Sequence, residues 1–285
     1  AQLVQSEQHN DGVEINRNAV VDALAELQQE QQEKANALNQ LEHDQKNQHC
    51  FSEPDAQIMK SGRDGMMVGY NAQNAVDDQH QLIVHHELTT DHTDNQQLQP
   101  ITEAVTDVLD QRPDVIAADA GYSNGRQLSE LQAQGHTTAV PANRGTNPDA
   151  DKFRKSDFTY VPERDAYRCP ANAWLTYATK QTKTRLYLYS RTGCSGCPLQ
   201  SQCTTADKRW LSRHFDEESL ATATEMATPE RMKTRMHTVE PPFGTLKRML
   251  NKGRFSCWGL EAASSEYSLG VMSYNLTRMM NVLGV

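Results

Sequence analysis

No apolar run in this 285-residue chain approaches the roughly 20 residues needed to cross a bilayer. Its first residues do not read as a secretory leader, so a cytoplasmic protein with reduced thiols and no membrane partner is expected. Apolar residues are few, at 37% with a mean hydropathy of -0.74. The length still suffices for one sizeable core or two modest units. Basic charge is short as well. A net charge of -9, spread evenly, would argue mildly against nucleic acid as a partner.

The charge is not spread evenly. Residues 1–60 hold eleven acids and only four bases, Arg17, Lys34, Lys46 and Lys60. Residues 231–254, RMKTRMHTVEPPFGTLKRMLNKGR, hold seven bases and one acid, Glu240. A solvated helix face is the ordinary explanation of such a stripe. The scarcity of acid within it also suits a surface that meets a polyanion.

Residues 18–43 carry Val20, Leu24, Leu27, Gln31, Lys34, Leu38 and Leu41 at alternating spacings of four and three, a heptad seam. Gln31 and Lys34 weaken it, so a helical hairpin or a helix lying on the body is an equal alternative to a coiled coil. Turn signals follow at Ser52, Pro54, Ser61-Gly62 and Asp64-Gly65. Met66, Val68, Tyr70 and Ala72 then alternate as one half-buried strand. Asp77-Asp78 turns the chain into a second strand, LIVHHELTT, with Asp77 closing the hairpin. Asp94 is placed to cap a helix over 95–111, delayed by Pro100 and ended by Pro113. A strand at 114–118, a helix at 125–134 and a strand at HTTAV complete the run. This order predicts an α/β fold with a mixed sheet flanked by helices.

Residues 142–222 interrupt the pattern. They are polar with scattered aromatics and read as an insertion too polar to fold on a core of its own. From Thr228-Pro229, an N-cap followed by proline at the first helical position, the chain turns helical again, and 258–282 forms a last helix. Four segments result: a helical segment at 1–50, the first part of the α/β core at 51–141, the insertion at 142–222, and C-terminal helices at 223–285 that complete the core.

Three places invite chemistry. In VIAADAGYSN (115–124) a short apolar strand ends at Asp119, and ligands gather at the carboxyl ends of strands in such sheets. An Asx turn or N-cap explains an aspartate there equally well. In the insertion, Cys169, Cys194, Cys197 and Cys203 have the spacing of a four-thiolate zinc site that would staple the segment together. A redox pair or plain reduced thiols are the alternatives, and Cys50 and Cys257 read as packing residues. Glu240 precedes Pro241-Pro242, which places it at a kink, at a helix end, or as the cap of a following helix. Lys247 lies about two turns on and can face the same way; ion pairing with surrounding bases is the plainer role for Glu240. Two carboxylates, Asp119 and Glu240, are the minimum for divalent-metal phosphoryl chemistry.

GYNAQNAVD (69–77), VIAADAGYSN (115–124), the cysteine cluster beginning RCPAN (168–172) and VEPPFGTLKR (239–248) follow one another in register. Together they resemble bacterial insertion-sequence transposases of the DDE type, over about residue 51 to the end. The resemblance implies an RNase H-like catalytic fold with a zinc-stapled insertion, and Mg2+ (or Mn2+) with structural Zn2+ as cofactors. It makes Asp119 the second catalytic acid and Glu240 the third, both metal ligands. Lys247 stands where relatives bring a basic residue to DNA, and Arg248, Arg235 and Arg231 are further phosphate contacts. Relatives in the wider group carry arginine four residues before the glutamate; here Met236 stands there and Arg235 is one off. DNA, as transposon ends and target, and further copies of the chain are the implied partners. The first acid of the family, in an Asp-Gly-Thr-like motif on an upstream strand, has no counterpart, since Asp11-Gly12 is followed by Val13. Asp55, Asp64 and Asp77 are not substitutes. The first strand and the DNA-binding region before it are therefore expected to lie outside this chain. Two other readings remain open: a truncated, inactive remnant that binds DNA or oligomerises, and a zinc-stapled interaction module whose acids are surface residues.

Overall fold

The computed structural model describes residues 17–43, 48–61, 65–143 and 152–284. The Asp11-Gly12 pair and parts of the turn signals at Gly62 and Asp64 lie outside them. The chain divides into two compact units, one through Gly69 and one from Tyr70.

In the first unit, α1 (Arg17–His43) runs for 27 residues without glycine or proline, in a sequence rich in the good helix formers Ala, Leu, Gln and Glu. Val20, Leu24, Leu27 and Leu38 of the expected seam are exposed. The antiparallel pair β1 (Gln57–Ser61) and β2 (Gly65–Gly69) follows, in the register Gln57↔Gly69. The single strand expected from Met66 to Ala72 is thus two. The chain breaks at Tyr70, directly after Gly69, where a residue without a side chain weakens a strand.

The second unit opens with the hairpin β3 (Asn71–Val76) and β4 (Ile83–Thr89). Asp77 closes it, as expected. One carboxylate oxygen accepts from the backbone of Gln79 and His80, and the other from Leu82 at 2.7 Å. Then come α2 (Leu98–Leu109), β5 (Val115–Ala117), α3 (Gly125–Ala133) and β6 (Thr137–Ala139), with β6 parallel to β5. Among the described residues no ladder joins β4 to β5, so the expected mixed sheet is present as two separate pairs. Each of β5 and β6 is only three residues long.

Asp94 does not cap α2. The cap is Gln97, and Asp94 opens a 3-10 turn, Asp94–Gln96, with its carboxylate directed elsewhere. Pro100 sits in the first turn of α2, where its missing N–H is no loss. The helix stops at Leu109, before Pro113, with Asp110 in the left-handed region at φ 47.

The insertion is a five-stranded antiparallel meander: β7 (Thr159–Val161), β8 (Ala166–Arg168), β9 (Trp174–Gln181), β10 (Leu186–Thr192) and β11 (Lys208–His214), in spatial order β11-β10-β9-β8-β7. It has a core of its own, formed by Phe158, Tyr167, Leu175, Tyr189 and Leu211. This corrects the expectation from its polarity. Strand alternation gathers its few apolar side chains onto one face.

α4 (Glu217–Met226) returns to the α/β core, where Ala223 and Leu220 pack with Leu98, Leu128 and Leu131. α5 (Pro229–Met249) is capped by Thr228, whose hydroxyl accepts from the Arg231 backbone. It runs unbroken through Pro241 and Pro242, so Glu240 is at neither an end nor a cap. Pro241 cannot donate to the carbonyl of His237, and the side-chain amide of Gln81 donates to it instead, at 3.2 Å. α6 (Leu260–Leu283) lays Tyr267, Val271 and Tyr274 against β4 and α5. Cys257 is exposed rather than a packing residue, and Cys50 is half-buried. No helix among the described residues is long and apolar enough to cross a membrane.

Candidate active site

β5 delivers Asp119 to its carboxyl end, after buried Ala118. Asp119 Oδ1 accepts from the Gly121 backbone at 2.8 Å, which caps the 3-10 turn Ala120–Tyr122. Its other oxygen accepts from Arg235 Nη2 at 3.2 Å. Arg235 comes from α5 and is 21% exposed, against 48% for Asp119. The turn role and the ligand-holding role are therefore not exclusive. One oxygen fixes the turn, and the other already faces a cation.

A second carboxylate stands beside it. Asp94 Oδ1 accepts from Asn71 Nδ2 at 2.8 Å and from Gln73 Nε2 at 2.7 Å. Gly121 separates the two acids: a Cβ on it would meet Asp119 Oδ1 at 2.9 Å and Asp94 Oδ2 at 3.3 Å. The two oxygens are thus no further apart than those distances combined, and a side chain at 121 would crowd both. Sequence reasoning missed Asp94 because it treated the residue as a helix cap. The available signal was in GYNAQNAVD: Asn71 and Gln73 sit two apart on β3, so both amides leave the same face and require acceptors.

Tyr122 completes the network by donating its hydroxyl to Gln73 Oε1. Burial, then the charges of Asp94 and Asp119, hold its phenol well above the ordinary value, against the opposing pull of Arg235. It therefore stays a protonated donor. Asn124 Nδ2 donates to the backbone and side-chain oxygens of Asn95, both at 3.0 Å, and so ties the start of α3 to the turn that carries Asp94. The GYNAQ and AGYSN stretches thus meet around two carboxylates.

The remaining expected residues are on or near α5. Glu240 is exposed, and its side chain makes no hydrogen bond or ion pair among the described residues. It follows Arg235 by five positions, about 7.5 Å along the axis and about 140° around it. Lys247, also exposed, shares Glu240's side of the helix to within about 20°. Arg248 donates to Thr245 Oγ1 at 3.3 Å. Arg231 is committed to the end of α4, donating to the Met226 carbonyl at 3.0 Å.

Cys169, Cys194, Cys197 and Cys203 are all free thiols and line one cavity of about 290 Å³. Cys197 N donates to the Cys194 carbonyl at 3.0 Å, which forms the Cys-x-x-Cys turn. Burial pushes the Cys203 thiol up; Arg209 opposes this, and the nearness of Cys194, Cys169 and Cys197 adds to it. Among the described residues, no three His, Cys, Asp or Glu side chains are close enough to hold a metal ion.

Residues 168–280 match the family model of a transposase DDE domain. That stretch is less than half of the chain. It contains the four cysteines, Arg231, Arg235, Glu240, Lys247 and Arg248, and it begins after Asp94 and Asp119. No curated protein and no solved structure matches the chain. A transposase DDE domain acts on DNA, generally with a divalent metal. The residues fit such a metal in kind. Carboxylate oxygens suit a hard divalent ion, which needs only one or two of them beside water and phosphate oxygens. Asp119 already accepts one cationic group.

Proposed function

We propose that the chain is the catalytic portion of a DDE-type transposase that hydrolyses and rejoins DNA phosphodiesters. The observation that carries this reading is the Asp119–Arg235 contact. It ties a carboxylate at the end of a strand to the helix that bears Glu240, and that helix lies within the stretch matching a transposase domain.

In this reading Asp119 and Glu240 hold Mg2+ (or Mn2+), on an RNase H-like core. Bound metal would polarise the phosphodiester and help ionise the attacking water or 3′-hydroxyl. Asp94, fixed by two amides, keeps the ground beside Asp119 negative. Arg235 neutralises Asp119 until a stronger cation arrives. Lys247 and Arg248, exposed on α5, meet backbone phosphates of transposon end or target and set register, not sequence preference. Four thiols around one cavity suit Zn2+ as the staple of the insertion. Assembly of several copies follows from the need to hold two DNA ends.

The test is nicking of supercoiled plasmid with Mg2+ or Mn2+. Asp119→Asn and Glu240→Gln should each abolish it while duplex binding persists. Nicking that survives Asp119→Asn would overturn the proposal. One observation favours a second reading, an inactive remnant that only binds DNA: Asp94, Asp119 and Glu240 do not come together as a three-ligand group among the described residues. Binding without nicking in the unaltered chain supports that reading.

A further inference from the structure

The meander has two unlike faces. In an antiparallel ladder, directly opposed residues point to the same side. Tyr167, Leu175, Tyr189 and Leu211 point inward to the cluster around Phe158. The other face bears the rows Arg168↔Trp174, Ala166↔Thr176↔Ser190↔Trp210 and Thr192↔Lys208. The further opposed pairs on this face, Leu188↔Ser212, Leu188↔Thr179, Leu186↔His214 and Leu186↔Gln181, add no acid either. Two tryptophans thus stand on a face whose strand residues include no acid, although at its His214 end Asp216 comes within 3.5 Å of the imidazole. Trp210 is 45% exposed, with Lys208 Nζ over its ring at 4.1 Å. Trp174 is half-buried, with the Arg164 guanidinium over its ring at 4.8 Å.

From Ala166 to Ala206 the sequence holds no Asp or Glu and five bases. Of these, Arg168 lies on the tryptophan face, Lys180 and Arg191 point to the opposite one, and Arg185 pairs with Asp216 at 2.8 Å. A sheet that only needed solubility would carry both signs. Aromatic platforms on a basic sheet are what an unpaired nucleic-acid strand needs: flat faces for its bases and cations for its phosphates. Strand spacing and rise place the two tryptophan Cα atoms roughly 12 Å apart across the ladder.

We propose that the outer face of β7–β11 binds single-stranded DNA, stacking bases on Trp174 and Trp210 while Arg164, Arg168 and Lys208 meet the phosphates. The proposal rests on the DNA-processing reading but names tryptophans and cations that belong neither to the Asp119 network nor to α5. It gives the insertion a role beyond bracing the core: holding a strand freed when a duplex end is opened.

The test uses the full chain, a labelled oligothymidylate, and a duplex of equal length, read by fluorescence anisotropy. Trp174→Ala and Trp210→Ala should each weaken oligothymidylate binding by roughly tenfold, with duplex binding changed far less. Trp258→Ala, at a tryptophan outside the sheet, should leave both unchanged. Because the rings are partly exposed, folding should survive; the charge variants Arg168→Gln and Lys208→Gln provide an independent check. Each should reduce the slope of log affinity against log salt by roughly 0.7. Tryptophan variants that bind oligothymidylate like the parent overturn the inference alone. Variants that change self-association and not DNA binding also overturn it, assigning the face to a second copy. A chain that binds neither DNA form overturns both this and the proposed function.

Discussion

Replacing Gln73 with leucine should unsettle the candidate site without touching either acid. Gln73 is 1% exposed and makes three side-chain contacts: it donates to Asp94 and Asn71, and accepts from Tyr122. Leucine fills similar space but makes none of them. The Tyr122 hydroxyl would lose its acceptor, which costs about 1–2 kcal/mol, and Asp94 would lose one of two charge-assisted donors, which costs about 1.5–3 kcal/mol. The expected loss is about 3 kcal/mol. In urea, with a slope of about 3 kcal/mol per molar, the midpoint should fall by about 1 M. The assay is tryptophan fluorescence, because Trp174, Trp210 and Trp258 all lie in the unit that begins at Tyr70. Tyr122→Phe removes the orphaned hydroxyl, so the double variant should be less damaged than the two single losses combined, by about 1 kcal/mol. A Gln73→Leu midpoint shift worth under about 0.5 kcal/mol, or strictly additive losses, would refute the network.

Acid should weaken the second unit earlier than its carboxylates require. Burial holds His86, His136 and His214 below their ordinary value of 6.5, and His136 Nδ1 has no hydrogen-bond partner among the described residues. A depressed histidine takes up its proton more readily when unfolded. This stability is therefore full above pH 6.5 and declines as pH falls below it. Urea midpoints should drop between pH 7.5 and 5.5, and His136→Leu should flatten the drop; parallel curves would count against it. For the insertion, added Zn2+ should shield Cys169, Cys194, Cys197 and Cys203 from a thiol reagent while exposed Cys257 still reacts, and a chelator should restore reactivity. If Zn2+ leaves the reactivity of Cys169, Cys194, Cys197 and Cys203 unchanged, they are plain reduced thiols.

Several features were legible because they depend on near neighbours. Thr228 followed by Pro229 starts α5, and Asp77 closes its own hairpin within five residues. The short strand before Asp119 and the α3 helix after it follow from apolar period and local turn residues. Tertiary structure decided the rest. Asp94 looks like a cap, and it becomes a site residue only because β3 brings amides from 21 and 23 positions away. Two adjacent prolines look like a break, and α5 continues because Gln81, 156 positions distant, takes up a carbonyl that Pro241 cannot serve. Polarity suggested an insertion without a core, yet the meander builds one, because pairing between strands chooses which side chains turn inward. Arg235 reaches Asp119 across 116 positions. Local residue order governed which segments could be helix or strand, and where carboxylate, thiol and base were concentrated. Which of those groups meet was left to chain closure, since a hydrogen bond to a distant partner leaves no period or spacing along the chain.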